Sequence, residues 1–594
     1  MPGFPTMRGV FWSSPARGPA SGAPVSQDEG KSAVRGTFLS STVRDPAKWL
    51  LLFLPVLLAA ANSAWIFTGP GWIDAWVYFG YFQHLATYKA VLFPNLYYGS
   101  RLPWILPGAL AYHLFTPRTA NFVLHFAFYY VAIFSFYSLM KRAVGSRSAV
   151  LATVLFGSYA PFLSAIGWDY VDGAGATYFL LALAAAARAT ETSPRLWLLV
   201  AGMAGMAMCY TNMFLFTFMP FVCGIYLFRG LTGLNRSSVR AVINLCVWFG
   251  AGAVLVTVVL GAINRLLDGN FWFYSPSIGF FLAMRAQRNP WVVQGWTWLR
   301  QAYWLGIPAA AAVACVVFAI RELWRRNLKF GDFRTFFVLQ FLAIAGGMIA
   351  WQVVGATGLY LTWYASYMIP SVFLAIGCVM AGEWKNRSTK VWWAVLFGTV
   401  ALFLLSLRMA NGEWVQALRR VTGFPVVTAL AAAGLLCSVV FQRKWYAIVA
   451  AVAGLGYYQI GYSGFDRPSD QYELEWRHVV DGADAIWPYE QKQRVSFWYD
   501  KTALHGSDFY SINSVYLWGY SYVGTDFPKI EVPSRLSAGA TIAMPIESRD
   551  WLERTNQALR ESHFRGSLMG IRSVGHDTHS FQIGILKIEP LPPG

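Results

Sequence analysis

Charged residues are scarce in this chain of 594 residues, where Asp, Glu, Lys and Arg together make up 13% and hydrophobic residues 56%. Soluble proteins typically carry about a quarter of their residues as charged side chains. Apolar runs of roughly 17 to 25 residues recur between positions 48 and 461, and each is long enough to cross a bilayer. The composition therefore excludes an ordinary soluble protein and predicts a polytopic membrane protein.

Several familiar signatures are also absent. The six cysteines all fall in apolar runs, which excludes a disulfide framework and a CxxC metal site. The chain has no P-loop, no GxGxxG before a helix and no GxSxG motif. The apolar runs are nearly free of charge at their centres, whereas ion-coupled transporters usually carry acids or bases there. Residues 1–47 lack the apolar segment of a signal peptide, and we predict a disordered cytoplasmic tail.

The formal net charge of +18 is unevenly distributed. Residues 1–463 hold 34 Lys and Arg against 12 Asp and Glu, whereas residues 464–594 hold 13 against 17. Basic residues cluster in alternate loops between the apolar runs, as the positive-inside rule requires of cytoplasmic loops. We therefore predict membrane lipids and no nucleic acid as partners of the basic part, with the N-terminus in the cytoplasm.

The predicted fold class is an all-α membrane domain over residues 48–463 followed by a soluble α/β or α+β domain over residues 464–594. We predict thirteen spans, at about 48–66, 120–140, 148–166, 174–189, 196–211, 213–228, 241–262, 303–320, 334–352, 361–381, 391–408, 425–440 and 445–461. An odd number of spans places the C-terminal domain outside, together with two long loops, 67–119 and 263–302. The C-terminal domain is predicted to contain helices at 468–486 and 547–561 and strands at 494–499, 567–574 and 579–588.

Few acidic residues of the membrane domain face the predicted outer side, and Asp74 is the only acid of the first long loop. It lies among aromatic residues in GPGWIDAWVYFGYF. A charge in apolar surroundings is costly to desolvate, which favours a functional role. The alternative is a carboxylate that stabilises a helix N-terminus.

A second acidic position is GWDYVDGAG, where Asp169 and Asp172 occupy a tight outer turn. Their spacing predicts that both carboxylates lie on one side of the turn or helix start. Either residue is a candidate catalytic acid or base. The alternative for Asp172 is an N-cap, because Gly173 and a helical run follow it.

Lys and Arg residues are unusual in the predicted outer loops, because loops on this side of a membrane usually contain few of them. Lys89 and Arg101 follow Asp74 in the first loop, and Arg285 and Arg288 lie in FLAMRAQRNP of the second. Ammonium and guanidinium groups pair with phosphate oxygens, so a phosphate-bearing ligand is one explanation and ordinary lipid headgroups are the other. His84 belongs to no zinc-binding pattern and is predicted to be a packed residue.

Four features in combination indicate a resemblance to a known class of enzymes. They are the first-loop Asp of GWIDAWVYFGYF, the acidic turn GWDYVDGAG, the helix pair AGMAGMAMCYTNMFLFTFMPF and the C-terminal domain. The chain resembles the multi-pass glycosyltransferases of the GT-C class, such as aminoarabinose transferases and protein O-mannosyltransferases, which use polyprenyl-phosphate sugars. The layout covers most of residues 48–594, and the motifs cover mainly residues 67–230.

The resemblance implies a bacterial inner-membrane enzyme that transfers a sugar from a polyprenyl phosphate to a glycan, lipid or protein, with inversion. It implies that Asp74 is the catalytic base or a metal-associated acid, that Asp169 or Asp172 is the second acid, and that Lys89 and Arg101 meet the lipid phosphate. Many members carry a paired acid in the first loop, whereas Ala75 follows Asp74 here. No cofactor is certain, and a divalent metal stays open.

Two other functions share the same membrane domain. One is a transporter or flippase of lipid-linked glycans, which the scarcity of charge within the spans disfavours. The other is a non-catalytic scaffold for envelope assembly, which predicts that substitutions at Asp74 are harmless.

Overall fold

A computed structural model gives the fold of the chain. It describes residues 46–592 except for 70–72, 94–95, 231–235, 287–304, 326–330, 354–358, 360–364, 381–387, 411, 414–432, 435, 438–468, 492–493, 500–503, 517–520, 524–535 and 576–579. The predicted span 445–461, most of the predicted span 425–440 and Arg288 lie outside the described residues. Residues 1–45 of the predicted tail 1–47 also lie outside them, and its last two residues begin the first helix.

The part before the C-terminal domain is helical. Its α-helices are α1 (Pro46–Ala61), α2 (Ile73–Thr87), α3 (Leu102–Leu114), α4 (Pro117–Val144), α5 (Ser146–Gly157), α6 (Ala160–Gly167), α7 (Val171–Ala189), α8 (Pro194–Thr211), α9 (Met219–Gly230), α10 (Arg236–Asn244), α11 (Gly250–Leu266), α12 (Ser275–Ala286), α13 (Gly306–Trp324), α14 (Phe333–Val353), α15 (Ala365–Val379) and α16 (Thr389–Arg408). Short 3₁₀- and π-helices connect several of them.

The long helix α4 shows how the sequence defines a span. Pro117 occupies the first turn, where a missing N–H is harmless, and Lys141 and Arg142 lie in the last turn, where cations complement the helix dipole. Gly145 ends the helix with a φ of 83°, a left-handed conformation that glycine adopts without strain. The helix is therefore long and apolar enough to cross a membrane, in agreement with the span predicted at 120–140.

Within the described residues, five helical segments are long and apolar enough to cross a membrane: Pro117–Val144, Ser238–Leu266, Gly306–Trp324, Phe333–Val353 and Thr389–Arg408. A sixth arises if α5 and α6 form one span, which is bent by 63° at their junction. These six agree with spans predicted from the sequence. The count of thirteen and the orientation of the termini stay predictions.

The first long loop folds into short helices. After α2 the chain forms a π-helix at Tyr88–Leu92, a 3₁₀-helix at Tyr97–Ser100 and then α3. Large aromatic side chains such as Trp76, Tyr81 and Trp104 are buried here. Burial of several large aromatic side chains stabilises the conformation of this loop, although it contains no long helix.

The second long loop packs against the first through α12. The Phe280 ring stacks on Tyr97 with 4.0 Å between centroids and 6° between planes. The Ser277 and Ser100 hydroxyl oxygens lie 2.5 Å apart. The two loops therefore meet beside Arg101, the residue that follows Ser100.

The described residues after position 468 form a mixed sheet covered by helices. We call this part the C-terminal domain, and its separation from the membrane domain stays a prediction. Its helices are α17 (Ser469–Glu490), α18 (Gly506–Tyr516) and α19 (Trp551–Glu561), and its strands are β1 (Val495–Tyr499), β2 (Ser521–Val523), β3 (Thr541–Ile546), β4 (Phe564–Val574) and β5 (Phe581–Pro590). The strand order is β2-β1-β3-β5-β4. The β2-β1-β3 part is parallel, and the β3-β5-β4 part is antiparallel. Two helices and three strands predicted from the sequence are confirmed to within a few residues.

Candidate active site

Asp74 lies in the first turn of α2, where a carboxylate complements the positive end of the helix dipole. The residues that follow it, from Ala75 to Phe82, are all buried, so the helix is fixed in place by packing. The Tyr98 hydroxyl donates a hydrogen bond of 2.6 Å to Asp74 Oδ1. Burial raises the pKa of Asp74, while the hydrogen bond from Tyr98 and the charge of Arg101 oppose that rise.

Arg101 is buried, with 8% of its surface exposed, and its partners are aromatic. Its Nη1 donates to the hydroxyls of Tyr78 at 2.8 Å and Tyr170 at 3.2 Å. The guanidinium carbon lies 5.0 to 5.5 Å from the ring centroids of Tyr97, Tyr98 and Tyr170.

Within the described part of the chain, Arg101 forms no ion pair. Phenol hydroxyls and ring faces stabilise a guanidinium only in part. A buried cation without a carboxylate partner can receive an anion, and Arg in particular suits a phosphate group.

Lys89 contacts the segment that carries Arg101. It lies in the π-helix, is 8% exposed, and its Nζ donates to the Gly99 carbonyl oxygen at 2.7 Å. Burial lowers the pKa of Lys89 to about 8. The structure therefore places both predicted first-loop cations at the segment Tyr97–Arg101.

Asp172 is 1% exposed and lies at the start of α7, before the predicted span 174–189. The Tyr367 hydroxyl donates to its Oδ1, and the Asn212 amide in turn donates to the Tyr367 oxygen at 2.9 Å. Its Oδ2 has no hydrogen-bond partner among the described residues. An N-cap role is wrong, because Tyr170 is the N-cap residue of α7 and Asp172 lies within the helix.

The carboxyl of Asp172 shares an electrostatic environment with the first loop. Burial is the main cause that raises its pKa to about 7. The Tyr367 hydrogen bond and the Arg101 charge oppose the rise, and the Asp74 charge adds to it. Asp74, Arg101 and Asp172 thus form a cluster, which we call the open cluster because one carboxylate oxygen and the cation lack an ionic partner among the described residues.

Asp169 belongs to a different set of contacts. It is completely buried, and its Oδ1 lies 3.0 Å from His125 Nε2. The Thr68 hydroxyl donates to Oδ2 at 3.0 Å. Both oxygens are satisfied, and no described contact joins Asp169 to the open cluster. The two acids of this turn therefore have different partners, and their placement on one side of the turn stays a prediction. A catalytic role for Asp169 also stays a prediction, and its occupied oxygens do not favour it.

The two cations predicted in the second loop are only partly described. Arg285 belongs to the backbone of α12, but its side chain lies outside the described residues, as does all of Arg288. A role for either in phosphate binding stays a prediction. The position of α12 against Tyr97 and Ser100 puts this helix beside the open cluster.

The sequence did not single out the tyrosines that build the site. Tyr78, Tyr98 and Tyr170 contact Asp74 or Arg101, and Tyr367 contacts Asp172. Two sequence features could have indicated these tyrosines: the run YYGSR, which ends at Arg101, and Tyr170, which lies between the two acids of GWDYVDGAG. Tyr367 is 195 residues from Asp172 and had no local signal.

No group of three His, Cys, Asp or Glu residues that could hold a metal ion occurs among the described residues. Asp74 and Asp172 are separate carboxylates with different phenol partners, and Ala75 replaces the paired acid. No step below involves a metal.

No protein-family model matches the chain, and no curated protein does. Several solved structures align with the chain at low sequence identity. ArnT from Cupriavidus metallidurans, bound to undecaprenyl phosphate, aligns with a TM-score of 0.44 and 14% identity over 91% of this chain and 98% of that one. The archaeal oligosaccharyltransferase AglB from Archaeoglobus fulgidus, in complex with an inhibitory peptide and a dolichol-phosphate, aligns with a TM-score of 0.41 and 13% identity over 90% and 75%.

Proposed function

We propose that the chain is a membrane glycosyltransferase that moves a sugar from a polyprenyl-phosphate carrier to an acceptor hydroxyl outside the bacterial inner membrane. The observation that carries this proposal is the buried Arg101, which has no ion-pair partner among the described residues and lies in the electrostatic field of Asp74. The resemblance of the motifs around Asp74 and GWDYVDGAG supports the same class of reaction. The acceptor would be a glycan, a lipid or a protein.

In the proposed reaction, an acceptor oxygen attacks the anomeric carbon of the sugar. The bond between that carbon and the phosphate oxygen breaks, and the electron pair leaves with the polyprenyl phosphate. One such displacement inverts the anomeric centre. The acceptor proton passes to Asp74, whose raised pKa makes it a stronger base than an exposed carboxylate.

The cations Arg101 and Lys89 would stabilise the leaving group. Negative charge grows on the phosphate as the bond breaks, and Arg101 and Lys89 would stabilise it. Both lie at the segment Tyr97–Arg101, in a buried environment where such a charge interaction is strong. Arg285 and Arg288 of the second loop would extend this group.

Asp172 would act from the start of α7. Its unpartnered Oδ2 can accept a hydrogen bond from a substrate hydroxyl, which would orient the sugar or the acceptor. Asp169 would hold the turn in place through His125 and Thr68.

The test is sugar transfer by purified full-length protein from a pool of radiolabelled undecaprenyl-phosphate sugars to periplasmic glycan, lipid and protein extracts. Asp74→Asn should reduce transfer by about 100-fold or more, as expected for loss of a general base. Asp268→Asn is the matched control, because Asp268 is an exposed acid of the second loop. Its left-handed φ of 59° is one that Asn also tolerates, so the control should transfer normally.

Two outcomes would overturn the assignment. Full activity of a folded Asp74→Asn protein would remove Asp74 from the chemistry. Transfer by neither protein, combined with movement of lipid-linked glycans across liposomes that contain the unaltered chain, would replace the enzyme with a flippase.

A further inference from the structure

Two of the contacts between the C-terminal domain and the first loop lie on either side of Lys89. The Trp487 ring at the end of α17 stacks on the His84 ring with 3.5 Å between centroids and 7° between planes. Arg494, just before β1, donates from Nη2 to the Leu92 carbonyl oxygen. His84 precedes Lys89 by five residues, and Leu92 follows it by three.

The segment between these contacts departs from regular α-helix. His84 has a φ of −132° and a ψ of 44°, which breaks the helical geometry of α2. The chain then forms the π-helix Tyr88–Leu92, a rare geometry that often occurs at functional sites. The segment does not continue the regular geometry of α2, so its contacts with neighbouring residues contribute to its position.

The same segment is linked to the open cluster through Lys89. Lys89 Nζ donates to the Gly99 carbonyl oxygen, two residues before Arg101. Gly99 itself packs closely, since a Cβ added there would lie 2.7 Å from the Tyr81 hydroxyl oxygen. A shift of the π-helix would therefore be transmitted to the residues that surround Arg101.

The position of Arg494 is also fixed from within its own domain. Glu490, at the end of α17, is 3% exposed, and its Oε2 accepts a hydrogen bond of 2.6 Å from the Val495 amide. This bond closes the connection between α17 and β1. Trp487 in the last turn of α17 and Arg494 just before β1 therefore both contact the first loop, and the hydrogen bond between Glu490 and Val495 joins the two elements that carry them.

We propose that Trp487 and Arg494 are positioning residues, through which the C-terminal domain sets the place of Lys89 and Arg101 for binding a lipid-linked phosphate. This inference rests on the proposed function, because it takes the two cations to be the phosphate-binding groups. It gives the C-terminal domain a role in donor binding that is separate from contact with an acceptor.

The test is binding of undecaprenyl phosphate to the purified full-length chain in detergent, with the dissociation constant measured by titration. Trp487→Leu and Arg494→Met should each weaken binding by about 3-fold to 10-fold, the effect expected when one aromatic stack or one hydrogen bond is lost. Trp487→Phe and Arg494→Lys keep a ring or a donor and should restore most of the affinity. The transfer rate at saturating donor should fall in Trp487→Leu and Arg494→Met and recover in Trp487→Phe and Arg494→Lys, because Lys89 and Arg101 also stabilise the charge on the leaving phosphate.

The matched control is Glu473→Gln. Glu473 makes an ion pair of 2.7 Å with Arg118, so it joins the same domain to the membrane part at a different place. This variant should bind undecaprenyl phosphate normally. Thermal unfolding of every variant reports whether it is folded, and if Trp487→Leu is not, Arg494→Met and its Lys counterpart carry the test.

The outcomes separate this inference from the proposed function. Normal binding by Trp487→Leu and Arg494→Met, together with weakened binding by Arg101→Gln, would overturn the positioning role and leave the proposed function standing. Equal weakening by Glu473→Gln would show a general effect of the domain interface and would also overturn it. Absence of saturable binding by the unaltered chain would overturn both.

Discussion

The acidic turn GWDYVDGAG contains two carboxylates three residues apart, and the fold gives them opposite surroundings. Asp169 is closed: His125 and Thr68 occupy its two oxygens. Asp172 is open: Tyr367 occupies one oxygen, and the other has no partner among the described residues. Burial is nearly complete for both, so burial alone does not mark a functional acid. The difference lies in whether the neighbouring groups leave a bonding position for a ligand.

The comparison extends to the cations. Arg101 resembles Asp172 in being buried with incomplete ionic pairing, whereas Arg118 at the domain interface is 55% exposed and paired with Glu473. An exposed ion pair contributes little to stability, at most about 1 kcal/mol. A buried cation held among tyrosines is costly to desolvate, and the proposed phosphate ligand would offset that cost.

The largest expected effect is on Arg101. Arg101→Gln removes the charge beside the proposed phosphate and should lower sugar transfer by about 100-fold to 1000-fold, as for loss of a main electrostatic group. Arg101→Lys keeps the charge but not the planar fork, and it should retain part of the activity. The measurement is the transfer rate per folded molecule. Arg265→Gln, at an exposed cation of the second loop, serves as control, and equal rates for Arg265→Gln and Arg101→Gln would contradict the assignment.

The next effect separates the closed acid from the open one. Asp169→Asn weakens its buried contact with His125 and should lower the free energy of unfolding by about 1 to 3 kcal/mol. The transfer rate per folded molecule should change little. Thermal unfolding and transfer assays on the same preparation check this. A stable protein that has lost transfer would assign Asp169 to the chemistry instead.

The smallest effect is a pH dependence at Asp172. Its pKa of about 7 in the folded chain lies above the usual value near 4, so the folded state binds more protons between about pH 4 and 7. Its contribution therefore lowers stability as pH rises through that window. Asp172→Asn removes this dependence, and its unfolding temperature relative to the unaltered chain should be higher at pH 8 than at pH 5. An unchanged difference between the two pH values would contradict the shifted pKa.

Local features of the fold were predictable, and distant pairings were not. The strands Val495–Tyr499 and Phe581–Pro590 follow from alternation and turn residues, and the position of Asp74 at the start of a helix follows from the residues around it. The link between Asp172 and Tyr367 depends on how α7 and α15 pack, which no spacing in the sequence encodes. The closed surroundings of Asp169 likewise depend on His125, a residue of α4.

The most direct measurement of the central claim is photolabelling with an undecaprenyl phosphate analogue that carries its reactive group next to the phosphate. The account predicts labels on the segment Tyr97–Arg101, suppressed by excess undecaprenyl phosphate and strongly reduced in Arg101→Gln. Labels that concentrate instead around Thr68, His125 and Asp169, or that excess undecaprenyl phosphate does not suppress, would contradict it.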